Sequence, residues 1–223
     1  MLSIVIPTWN AAGHIPRILA ALKASGIGGE IVVADADSPD GTATLAAQLG
    51  AHVVACARGR GIQLHAGAAA TRGNWLLFLH ADAVPGPGFG AAVAGFIADS
   101  ANRNRAGFFR LRLDDPTAAA RRVERLANWR ARALALPYGD QGLLLSRALY
   151  ESAGGFPPLP IMEDVAFVRR LGRRRLVQLD AEIVTSAERY RSDGYLYRPL
   201  KNLFCLALYF LGVAPARIAN LYD

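Results

Sequence analysis

The sequence predicts an α/β fold, a single domain built on a mainly parallel sheet flanked by helices, and three observations carry that prediction. Strand-like and helix-like segments alternate from Ile4 to Ala70, the order that produces strand–helix–strand crossovers. Trp75-Leu76-Leu77-Phe78-Leu79 is an unbroken apolar run, as expected of a strand covered on both faces. The 223 residues suffice for one large core, and no low-complexity linker divides them.

Each element follows from local pattern. Ser3 to Pro7 reads as a buried first strand and Pro7-Thr8-Trp9-Asn10 as the loop after it, because proline ends the ladder. Ile15, Ile18, Leu19 and Leu22 then recur at helical spacing, with Gly26 as a stop. Ile31 to Ala34 is the second strand, followed by a turn with Asp35, Asp37 and Asp40 before an alanine-rich helix through Leu49. Asp40 suits capping or turn work, and Asp35, nearest the strand end, suits a ligand. His52 to Ala57 makes a third strand and leads through Arg58-Gly59-Arg60-Gly61 into a small-residue helix.

The second half is patterned differently. Phe89 to Ile97 reads as a helix, and Gly107 to Leu113 alternates Phe109, Leu111 and Leu113 against Phe108, Arg110 and Arg112, as in a half-exposed strand. The arginine-rich helix from Thr117 to Leu134 is expected to present a solvated or membrane-facing surface. Pro137-Tyr138-Gly139-Asp140-Gln141-Gly142 leads into Leu143-Leu144-Leu145, after which Ser146 can cap a helix that ends at Gly154-Gly155. Glu163 and Asp164 stand at the start of a helix carrying Val165, Val168 and Leu171. A helix start suits acids by offsetting the dipole, and it favours the ionised form that can accept a proton. Leu203 to Val213 is apolar but about half the ~20 residues needed to cross a bilayer. It reads as a core helix or an amphipathic surface segment, with Tyr195, Tyr197, Arg198 and Lys201 able to sit at a membrane interface.

Composition narrows the setting. The net charge of +7 is carried almost wholly by arginine, since Lys23 and Lys201 are the only lysines. A positive field of this kind fits phosphorylated ligands, an anionic membrane surface or nucleic acid. Cys56 and Cys205 form no CxxC or Cys/His cluster, and Met1-Leu2-Ser3 runs straight into a strand, so a reducing, cytoplasmic location is expected. Leu64 occupies the third glycine position of a dinucleotide fingerprint, which argues against an oxidoreductase.

The candidate site lies where the central apolar run ends in His80-Ala81-Asp82. Ligands of open α/β sheets bind at the carboxyl ends of strands, and residues two apart on an extended segment face the same way. His80 and Asp82 can therefore meet one ligand or metal together.

The order of these features resembles the inverting family 2 glycosyltransferases, with their Rossmann-like GT-A fold, the A-type nucleotide-sugar transferase architecture. The resemblance rests on Ile4-Val5-Ile6-Pro7-Thr8-Trp9-Asn10, Asp35 to Thr42, Leu77 to Asp82, Gly154-Gly155-Phe156 and Glu163-Asp164, and it spans nearly the whole chain. The segments Gly139 to Gly142 and Met162 to Asp164 look most like a small bacterial subgroup often labelled radical-SAM/selenodomain-associated transferases. The resemblance implies a nucleotide-binding half over 1–100, an acceptor and catalytic half over 101–192 and a C-terminal helical segment over 193–223. It implies a UDP- or GDP-linked sugar donor held by Pro7, Thr8, Asn10, Asp35, Asp37, Arg58, His80 and Asp82. A divalent cation, Mn2+ or Mg2+, would sit at Asp82 with His80, which replaces the usual first aspartate of the Asp-x-Asp motif. Asp164 matches the base, Glu163 its support, and Asp140 and Gln141 the acceptor side. The implied acceptor is a hydroxyl compound that the sequence does not name, a lipid-linked one at an anionic inner membrane face being one option, and no nucleic acid partner is implied. Two rivals share the sheet: a nucleotidyltransferase, whose glycine-rich, lysine-containing loop is absent after the first strand, and a non-catalytic nucleotide-sugar binder.

Overall fold

The computed structural model describes residues 1–222. Strand–helix units build the first half: β1 (Leu2–Thr8), α1 (Ile15–Ala24), β2 (Glu30–Asp35), α2 (Thr42–Gln48), β3 (His52–Ala55), α3 (Arg60–Ala69) and β4 (Trp75–Phe78). The rest comprises β5 (Ala83–Pro85), α4 (Phe89–Ala98), β6 (Ala106–Leu113), α5 (Ala118–Ala133), β7 (Leu143–Ser146), α6 (Arg147–Ser152), α7 (Glu163–Leu171), β8 (Leu176–Thr185) and the C-terminal helices α8 (Glu188–Asp193), α9 (Tyr197–Phe210) and α10 (Pro215–Tyr222). All eight strands join one sheet in the order β3-β2-β1-β4-β7-β6-β8-β5. The β3-β2-β1-β4 part is parallel throughout, and β7 then runs antiparallel to both β4 and β6. The sheet is thus mixed, with its parallel half where the strand–helix alternation predicts it.

The central strands are buried because helices cover both faces. Ile4 and Ile6 pack with Ile15, Ile18 and Leu22 on one side, while Val5, Leu76 and Phe78 pack with Leu64, Phe156 and Phe167 on the other. Gly67 on α3 permits this contact, since a Cβ there would come within 2.4 Å of Val5 Cγ1.

Several elements differ from the sequence reading. β1 continues through Pro7 to Thr8, and Pro7 lies beyond Val5, the last β1 residue paired with β4, so its missing N–H interrupts no pairing on that side. β6 is not half-exposed along its length: Phe108 and Phe109 are both buried, and only Arg110 and Arg112 face out. Phe108 and Phe109 still point to opposite faces of the strand, and both are buried because the whole run Ala106–Phe109 is covered on both sides. Ala83–Pro85, to which the sequence reading assigns no element, form the edge strand β5 beside β8. α5 is anchored rather than merely solvated: Ala120, Val123, Ala127 and Ala131 are buried, and Glu124 accepts from the Leu113 N–H at 2.7 Å. Ser146 does cap α6, accepting from the Leu149 N–H at 3.1 Å.

The C-terminal segment has two faces. Cys205 and Leu206 of α9 and Ile218 of α10 pack with Leu136, Ile161, Val165 and Val168. Arg198 and Tyr195 are not interfacial, as Arg198 is buried and Tyr195 donates to Asp115 at 2.6 Å. Among the described residues no helix is long and apolar enough to cross a membrane.

Candidate active site

The carboxyl ends of β1 and β4 and the segment after β3 open onto one cleft of about 860 Å3, lined by Pro7, Thr8, Asn10, Arg58, His80 and Asp82 among others, whereas Asp35 and Asp37 after β2 do not line it. Its floor is fixed by side chains that tie the strand ends together. Gln63, reaching up from α3, donates to the Thr8 and Ala34 carbonyls at 2.7 and 3.1 Å. Thr8 Oγ1 donates to Asp35 Oδ1 at 2.7 Å, and the Ser38 N–H and hydroxyl reach the same carboxylate at 2.8 and 2.7 Å. Asp35 is therefore a buried anchor of the cleft wall rather than an open ligand. Asp37 is exposed beside it, in a left-handed conformation with φ 60°. Asp40 does turn work, accepting from the Ala12 and Thr42 N–H groups at 3.0 and 3.1 Å. Arg58 stacks its guanidinium over the Trp9 ring, 4.5 Å from the centroid, at the side of the cleft.

Where β4 ends, the chain turns instead of staying extended: the Ala83 N–H donates to the His80 carbonyl at 3.0 Å. His80 and Asp82 nevertheless line the same inner cavity, of about 120 Å3, which shares Arg60, Asp82 and Arg189 with the outer cleft. His80 is kept neutral, its pKa pushed well below the usual imidazole range by burial and then by the Arg60 and Arg189 charges. Its Nε2 is buried without a hydrogen-bond partner. The ring lies hard against Gly139, where a Cβ would come within 2.3 Å of Nε2.

Gly139 also reaches the far side of the cavity. Its N–H donates to Asp164 Oδ2 at 2.8 Å, and the Val165 N–H meets Oδ1 at 2.7 Å. The strained left-handed Met162, φ 64°, turns the chain into α7 so that Asp164 faces the cavity. Asp140 lines it too, with Oδ1 unpartnered and its pKa pushed up to about 6 by burial. Gln141 is not brought to the cavity. It is fully buried, and its amide donates to the Phe109 carbonyl at 3.1 Å and Asn128 Oδ1 at 3.3 Å.

Glu163 is likewise held beneath the cavity rather than in its wall, fully buried with neither oxygen hydrogen-bonded and Arg60 Nε 3.6 Å away. Burial pushes its carboxyl up to about 8, and the Arg60 charge offsets that only in part. The folded chain then retains a proton that the unfolded chain releases above its usual value of 4.5, so stability declines as pH rises from that value toward about 8. Glu163→Gln, neutral throughout, loses this slope. Melting curves from pH 5 to 9 are expected to show the parent losing several degrees more than the variant. Parallel curves would mean that Glu163 is ionised in the fold.

Sequence reasoning selected Arg58 but passed over Arg60, two residues along, which lines both cavity and cleft. It also missed Tyr138, Arg189, Tyr190, Arg198, Asn202 and Tyr222, which wall the cavity from later elements. Arg60 was visible in its glycine-flanked motif, whereas the others had no local signature.

Among the described residues no group of three or more His, Cys, Asp and Glu side chains is placed to hold a metal unaided. The cavity still fits a divalent cation shared with a diphosphate, for hard cations often take only one or two protein ligands and complete their shell with phosphate oxygens and water. Asp82 offers the oxygen ligand, and the neutral His80 ring with its unpartnered nitrogen is the second candidate donor.

A cleft at the ends of parallel strands, a carboxylate after the central strand and a second one at a helix start across the cavity fit the GT-A fold. The chain belongs to glycosyl transferase family 2, whose model matches residues 3–147. Solved structures agree in fold. The mannosyltransferase PcManGT of Pyrobaculum calidifontis, solved in complex with GDP-Man and Mn2+, superposes with a TM-score of 0.69 at 19% identity, over 99% of this chain and 67% of that one. Mannosyl-3-phosphoglycerate synthase of Rubrobacter xylanophilus gives 0.63 at 20% identity, over 96% and 75%. Glucosyl-3-phosphoglycerate synthase of Mycobacterium tuberculosis, with Mn2+, UDP and glucosyl-3-phosphoglycerate, gives 0.58 at 23%, over 83% and 70%. No curated protein matches the chain significantly in sequence. The protein is a family 2 glycosyltransferase, of the class that transfers a sugar from a nucleotide sugar.

Proposed function

We propose that the enzyme inverts the anomeric centre, passing a hexosyl group from a UDP- or GDP-linked donor to an acceptor hydroxyl. The observation that carries this reading is the cavity itself, lined by Asp82 from the donor half and Asp164 from the acceptor half and opening onto the donor cleft. Pro7, Thr8, Asn10, Asp37 and Arg58 flank the nucleoside, and Asp35 sets the position of Thr8 and Ser38 around it. His80 and Asp82 meet the diphosphate, with Arg60 and Arg189 adding positive charge. Mn2+ or Mg2+ held at Asp82, with His80 beside it, would neutralise the charge developing on the leaving diphosphate.

In the transfer, the bond from the anomeric carbon to the diphosphate oxygen breaks as the acceptor oxygen bonds from the opposite face. Asp164 takes the acceptor proton. Glu163 supports this from below through α7 and Arg60, and Asp140 contacts the acceptor. Within the family we place the chain near the radical-SAM/selenodomain-associated subgroup, on the Gly139–Gly142 and Met162–Asp164 segments.

The structures bound to GDP-Man and to UDP motivate the donor panel. Incubation with UDP- and GDP-hexoses, Mn2+ and simple or lipid-linked alcohols, read by proton NMR of the product, is expected to show an anomeric configuration opposite to the donor's. Retained configuration would overturn inversion, and donor binding without transfer or hydrolysis across the panel would favour the non-catalytic binder.

A further inference from the structure

The geometry points to α9 as an interfacial helix that seats the enzyme on an anionic lipid bilayer. Its exposed positions are Tyr197, Leu200, Leu203, Phe204, Ala207 and Phe210, with the adjoining Leu211 completing the row. They recur at spacings of three and four, so they form one straight stripe along the helix, and every one is apolar. The large ones are exposed by between 48% at Phe210 and 79% at Leu211. An outward stripe of this kind is unusual for a surface helix, whose solvent face is normally polar.

The opposite face is already satisfied. Cys205 and Leu206 are buried in the core cluster beneath, and the buried Arg198 pairs with Asp193 at 3.2 Å. The helix cannot turn its stripe inward without losing these contacts. At 14 residues it is roughly 21 Å long, too short to span a bilayer. Lying flat in the headgroup region is the geometry that remains for it in a membrane.

Charge selects the partner. From Gly194 to Tyr222 there is no Asp or Glu, while Lys201 and Arg217 are present. Arg169 of α7 lies over the Phe210 ring at 4.9 Å, and Arg170, Arg173, Arg174 and Arg175 follow it on the exposed surface. The stripe thus meets positive charge at Phe210, through Arg169 at the head of an arginine-rich run, on a chain of net charge +7. A second copy would bring the same cations against it, whereas an anionic lipid surface complements both the stripe and this charge.

Flotation with phosphatidylcholine vesicles, with and without about one third phosphatidylglycerol, tests this on the full chain. The protein is expected to float with the anionic vesicles, less so at high salt, and to stay in solution with neutral ones. Leu203→Glu/Phe204→Glu, both solvent-exposed, is expected to keep the parent's circular dichroism and melting temperature while its vesicle partitioning falls at least tenfold, on the order expected for losing two large apolar groups. Arg173→Glu/Arg174→Glu is expected to weaken the anionic preference with the stripe intact. Failure of the parent to float on anionic vesicles would overturn the proposal, as would equal flotation of the stripe variant. A vesicle-free dimer broken by the stripe variant would overturn it in favour of self-association.

Discussion

Asp164→Asn is expected to fold, to bind the nucleotide-sugar donor with near-native affinity and to transfer sugar at least about a hundredfold more slowly. Asparagine keeps the shape of the side chain, and its carbonyl oxygen can still accept from the Gly139 N–H that now meets Oδ2 at 2.8 Å. It cannot take up the acceptor proton, and loss of a general base typically costs ~10² to 10⁴ in rate. The donor cleft is untouched, because Thr8, Arg58 and Asp82 lie on the other half of the chain. Donor titration paired with single-turnover transfer separates the two effects. Near-native transfer by this variant would return Asp164 to the role of a helix-start acid and direct attention to Asp140, the other carboxylate of the acceptor half in the cavity wall.

The second large effect is expected at Asp82. Nucleotide diphosphate binding by the parent is expected to tighten by about tenfold or more when Mn2+ replaces a chelator, the scale of a charged partner worth roughly 1.5–3 kcal/mol. Asp82→Ala is expected to bind UDP or GDP with the same weaker affinity in both conditions. Isothermal titration of both nucleotides with Mn2+, Mg2+ or chelator measures this directly. Equal affinity of the parent in Mn2+ and chelator would remove the metal role.

Most of the parallel half was legible, because a buried strand, a loop and an amphipathic helix each leave a local pattern. Asp82 and Asp164 could be singled out for the same reason, one ending an apolar run and the other opening a helix. The sequence reading took His80 and Asp82 to share a direction through extended geometry, yet the chain turns there, and they share a cavity because of the fold around them. β8 went unread although Leu179, Ala181, Ile183 and Thr185 alternate with Asp180, Glu182 and Val184, with the inward set buried. That period was available. The C-terminal wall of the cavity was not, since Arg198, Asn202 and Tyr222 reach it only through the packing of α9 and α10 on residues some forty positions earlier. Gln141 misled for the opposite reason: a polar residue between glycines looks free, and only tertiary contacts reveal that its amide is engaged with Phe109 and Asn128.

Gly139 stands between the two halves of the site, its α-carbon against the His80 ring and its N–H on the Asp164 carboxylate. A side chain there would displace the imidazole, and a displaced backbone would release the carboxylate. Substitutions of His80 and Asp164 that shift Gly139 are therefore expected to be non-additive, because residues that share one partner do not contribute independently. Enlarging the side chain at position 80 is thus expected to reach the Asp164 carboxylate through this one glycine, without any direct contact between the two residues.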